Sequence, residues 1–174
     1  PELLAALLGA LASDSATVRQ SGAEALARLA AQPAAEGAPS PGPETAAAWT
    51  HALTRKGGPV LLSLTRQGLP VLPHGDSFTS QDAMKGGYTL VDAADAKATI
   101  VATGAEVSLA VEAAKLLGEE GITTRVVSMP CLELFHEQDK DYIHSVLGKD
   151  ALFSLEMGRP EWWCQLTGRY DRCI

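Results

Sequence analysis

The residue best placed for chemistry stands in VLLSLTRQGLP, residues 60–70, where five residues suited to a buried strand run into Thr65, Arg66, Gln67 and Gly68. Pro70 then stops the strand. A guanidinium at such a point either pairs with a nearby acid or grips an oxyanion through two parallel N–H bonds, and ligands of α/β sheets gather beyond the carboxyl ends of strands. On residue type alone, the surface pairing is the simpler reading. The other reactive residues assemble no site. Thr103-Gly104-Ala105-Glu106 lacks the repeated glycines that bring backbone against a pyrophosphate, and reads as a tight strand-to-helix turn. His51, His74, His136 and His144 have no nucleophile and carboxylate arranged around them, so they read as surface or helix-end residues. Cys131, Cys164 and Cys173 form no CxxC pair and have no histidine at ligand spacing, which suits reduced structural thiols. Glu156 reads as a capping or interdomain residue, and Trp162 and Trp163 as aromatics buried against the sheet or a dimer partner. No catalytic, cofactor-binding or metal-ligating set emerges.

The elements that must position these residues change character along the chain. In residues 1–31, Leu3, Leu4, Leu7, Leu8 and Leu11 share one helical stripe and Val18, Ala25, Leu26 and Leu29 another, with Asp14 or Ser15 capping the second. This predicts a helical hairpin similar to a single HEAT or armadillo-type repeat, or a generic amphipathic hairpin. Residues 32–43 are rich in Pro, Gly and Ala and read as a linker. A helix is predicted over 45–55, a strand over 59–64, a polar loop over 72–86 and a short strand over 86–93.

A βαβ unit follows. KATIVATG supplies a strand, AEVSLAVEAAKLLGEEG a helix closed by Gly121, and ITTRVVSMP a second, parallel strand stopped by Pro130. Val107, Ala110, Val111, Ala114 and Leu117 form the stripe that packs on the sheet, while Glu112, Lys115 and Glu119 face water. A further helix spans 139–147. DALFSLEMG adds a third core strand buried by Leu152, Phe153 and Leu155, and the strands around Ile100, Val126 and Phe153 are expected to present sheet edges.

Composition restricts the function classes. Apolar residues make up 46% and charged residues 20%, a globular profile. A net charge of -7 lacks the basic field that holds phosphate backbones or anionic lipid, and no apolar run reaches the roughly 20 residues of a membrane span. Nucleic acid and membrane are not expected partners. The start at Pro1 and the stop at Ile174 read as those of a fragment.

The pieces ETAAAW, LTRQGLPVL, KGGYTLVD, ATGAEVSLAVEAAKLL and RVVSMPCLELFHEQDKDYIHSVL, in this order and spacing, resemble transketolase over residues 44–174. Transketolases are homodimers of α/β domains that use thiamine diphosphate with Mg2+ or Ca2+ to move a two-carbon ketol unit between sugar phosphates. The resemblance implies that residues 44–72 end the pyrimidine-binding domain, 73–93 connect, and 94–174 form most of the C-terminal domain, a three-layer α/β unit with a largely parallel sheet. It also implies that Arg66 binds the phosphate of a sugar-phosphate substrate in the complete enzyme. The family's Gly-Asp-Gly metal motif and cofactor-activating glutamate have no counterpart in this sequence. No cofactor is therefore expected on this chain alone. SPGPET replaces the usual Arg-Pro-Ala-Asp lead, and Gly68 replaces a usual Asn beside Arg66. Cytoplasm or plastid follows as the compartment. The alternative is a noncatalytic module in which the hairpin and the C-terminal domain surface bind proteins.

Overall fold

The computed structural model describes residues 42–64, 68–75, 78–159 and 161–168. The hairpin expected over 1–31, all of the linker but its last two residues, Arg66 and Cys173 lie outside the described residues. The chain divides into two units, Pro1–Ser63 and Leu64–Ile174.

In the first unit α1 spans Pro43–Thr54, beginning two residues before the expected start. Pro43 is set for this place, since its fixed φ suits a first helical turn and its missing N–H would have had no intrahelical partner there. Glu44 adds a favourable charge to the same turn, and Ala46 and Ala47 are the buried residues. The strand expected over 59–64 does not form. Leu61 is 91% and Leu64 55% exposed. A strand needs a ladder, and none of the described strands pairs with this apolar run, so its composition has nothing to act on.

Among its described residues the second unit is built on four strands, β1 Tyr88–Val91, β2 Ala98–Ala102, β3 Thr124–Ser128 and β4 Ala151–Leu155, in the order β1-β3-β2-β4. β2 is parallel to both β3 and β4, and β1 is antiparallel to β3 with an irregularity between Thr89 and Val91. The βαβ unit thus has the expected form, with α3, Glu106–Glu119, as its crossover helix. Two of the three strands expected at sheet edges are interior. β2 and β3 each have two neighbours, and among the described strands β4 and β1 are the edges.

Side chains alternate across the pleat and feed two cores. Ile100, Ala102 and Val126 meet Val107 and Ala110 of α3, with Val111, Ala114 and Leu117 partly buried beside them. Glu112, Lys115 and Glu119 are exposed, as expected of the helix's outer face. Val101 and Val127 meet Met129, Phe135, Val146 and Trp163. These come from three further helices of the unit or the turns leading into them: α4 Leu132–His136, α5 Lys140–Leu147 and α6 Cys164–Thr167. Full burial of Phe135 contributes roughly 1.5–3 kcal/mol. On β4, Leu152, Phe153 and Leu155 are only partly buried and Ser154 is the fully buried residue, because an edge strand has cover on fewer sides.

The polar loop expected over 72–86 contains a short helix, α2 Ser80–Met84. The Thr79 N–H and hydroxyl both donate to the Asp82 carboxylate, at 2.9 and 2.8 Å. Burial raises the Asp82 pKa, but these bonds and Lys85 outweigh it and hold the carboxyl below its ordinary value. Lys85 also lies 4.4 Å over the Tyr142 ring.

Tyr142 in turn ties α5 to the turn before β1, its hydroxyl donating to the Gly87 carbonyl at 2.8 Å. Burial, and then the Asp82 charge, push the phenol up to about 12. The folded form therefore prefers the protonated phenol. This contribution to stability is complete below about 10, the ordinary phenol value, and is lost as pH rises through about 12. Chemical denaturation across that window should show the wild type losing stability more steeply than Tyr142→Phe. Parallel losses in the two proteins would mean that the fold does not raise the Tyr142 phenol.

Candidate functional site

The family-implied site residue, Arg66, lies outside the described residues, but both of its flanks are placed. Leu64 is exposed on one side, and Gly68, Leu69 and Pro70 on the other. A methyl group added at Gly68 would meet nothing within 4 Å.

From Val71 onward the exposure of the segment alternates. Val71, Pro73 and Gly75 are exposed, whereas Leu72 and His74 are half-buried. Leu72 packs against the core formed by β2, β3 and α3. The His74 ring stacks on Phe78 with centroids 4.1 Å apart, and its Nε2 lies 2.9 Å from the Tyr88 hydroxyl. Phe78 and Tyr88 complete the cluster at 4.7 Å. Tyr88 is 4% exposed and opens β1, so the cluster ends on a strand of the sheet.

At the carboxyl ends of the parallel strands, the order of β3, β2 and β4 places a topological switch between the loops that follow β2 and β4. The loop after β2 is the tight turn expected at Thr103–Glu106, closed by the Glu106 N–H donating to the Thr103 carbonyl at 3.2 Å. After β4, Glu156 closes its own turn by accepting from the Gly158 N–H at 2.9 Å. Neither loop gathers a reactive set. Trp163 is buried in the core at 7% exposure, but its neighbour Trp162 is 64% exposed, against expectation. Adjacent residues turn opposite ways where the chain enters α6, and only one of them can reach the sheet.

The remaining candidates stay apart. His136 and His144 are exposed on separate helices and His51 is on α1. Cys131 and Cys164 are half-buried and on different elements. Burial, followed by lesser contributions that include the Glu133 charge and hydrogen bond, pushes the Cys131 thiol up, opposite to what a reactive thiolate needs. Among the described residues no three His, Cys, Asp or Glu side chains converge to hold a metal ion. What the sequence did not single out is the His74, Phe78 and Tyr88 cluster. The one available signal was the alternation of Leu72 and His74 in VLPHG.

Comparison with known proteins gives one consistent result. The transketolase-like C-terminal domain matches residues 86–174. A transketolase of Dictyostelium discoideum is 44% identical over 134 residues, covering 75% of this chain and 20% of that protein. A plasmid-borne transketolase of Cupriavidus necator is 43% identical over 131 residues, covering 75% of this chain and 19% of its own length. Among solved structures, the transketolase of Pichia stipitis in complex with sedoheptulose 7-phosphate superposes with a TM-score of 0.65 at 42% identity. That match covers 70% of this chain and 18% of that one. The chain thus spans about a fifth of the length of the relatives it matches.

Proposed function

Because this chain belongs to the transketolase family and carries that family's C-terminal domain across residues 86–174, we propose that it is part of an enzyme that moves a two-carbon ketol unit between sugar phosphates. Arg66 grips the substrate phosphate. The observation that carries this is the extent of the match. Residues 86–174 are about half of the chain, so identity over 75% of it must reach upstream, into sequence before the C-terminal domain. The sedoheptulose 7-phosphate bound by the Pichia stipitis relative supports sugar phosphates as the substrate class.

On this reading residues 44–72 close the pyrimidine-binding domain, and thiamine diphosphate with its divalent metal serves the complete enzyme. Among the described residues no three metal-ligating side chains come together. Homodimer assembly and a cytoplasmic or plastid location follow from the family alone, and the HEAT-like hairpin rests on the leucine spacing of residues 1–31.

The test is a complete transketolase in which residues 44–174 replace the equivalent segment. Retained ketol transfer is expected, and a folded graft without transfer would refute the assignment. The purified chain alone, given ribose and xylulose phosphates with thiamine diphosphate and Mg2+, should show no turnover. Turnover above a control lacking the chain would show that this segment holds its own cofactor site.

A further inference from the structure

We draw no further inference here: the strongest candidate, the exposed apolar patch that Leu109 and Leu116 form on the outer side of α3, is an unpartnered helix face, and nothing in the structure shows what covers it.

Discussion

Alanine at position 86 should cost the sheet unit roughly 3–5 kcal/mol, a large share of the stability of an ordinary domain. Two causes add. Gly86 has φ +92°, where a side chain is strained by about 1–3 kcal/mol. Its added Cβ would also strike the backbone Cys131 carbonyl and Phe135 amide, and would lie 2.8 Å from the Leu134 Cβ. Backbone atoms cannot rotate aside. The same carbonyl and amide belong to α4's first turn, and the Cys131 N–H donates to the Gly86 carbonyl at 2.9 Å, so relief at one point breaks a bond at another. Gly118→Ala is the control. Gly118 lies in α3 with nothing within 4 Å of an added Cβ, and alanine there should stabilise by about 0.5–1 kcal/mol. Urea denaturation of both variants checks the pair. Equal, small effects would mean that the turn before β1 can move away from α4.

The difference between these glycines was only partly legible in the sequence. KGGY marks a turn before a strand, but the close approach of α4 that makes the glycine obligatory arises from a helix more than forty residues later. The βαβ unit was legible because its signals are local: apolar runs at 98–102 and 124–128 flank a stripe of period 3.6. α2 was also legible in principle. Thr79 and Asp82 stand three apart, as a capping pair requires, although the helix is too short to show a stripe. The apolar run at 59–64 misled for the opposite reason. Its composition fits a strand, but pairing depends on neighbours that composition does not encode. His74 was passed over because its partner Tyr88 is fourteen positions away and no reactive group accompanies it. Arg66 was reached through the family resemblance, since one arginine after an apolar run has no local signature of phosphate binding.

In the complete enzyme, Arg66→Ala should raise the Michaelis constant for phosphorylated sugars about ten- to a hundredfold, the equivalent of a charge-assisted contact of roughly 1.5–3 kcal/mol. The direction follows from what is lost. A guanidinium offers a planar fork that meets two phosphate oxygens, and alanine supplies neither the charge nor the donors. Arg66→Lys should recover only part of the affinity, because an ammonium supplies the charge without the fork. Loss of uniform binding raises the Michaelis constant with little change in turnover number, whereas damage to the fold lowers the amount of active enzyme for every substrate alike.

The measurement that decides the central claim is therefore a ratio. kcat/KM is determined for a phosphorylated ketose and for its unphosphorylated analogue, in the complete transketolase carrying residues 44–174, with arginine and with alanine at position 66. The account predicts that alanine lowers the value for the phosphorylated sugar about ten- to a hundredfold and leaves the unphosphorylated analogue nearly unchanged. Equal losses for the two substrates would contradict it, and would make Arg66 a structural residue.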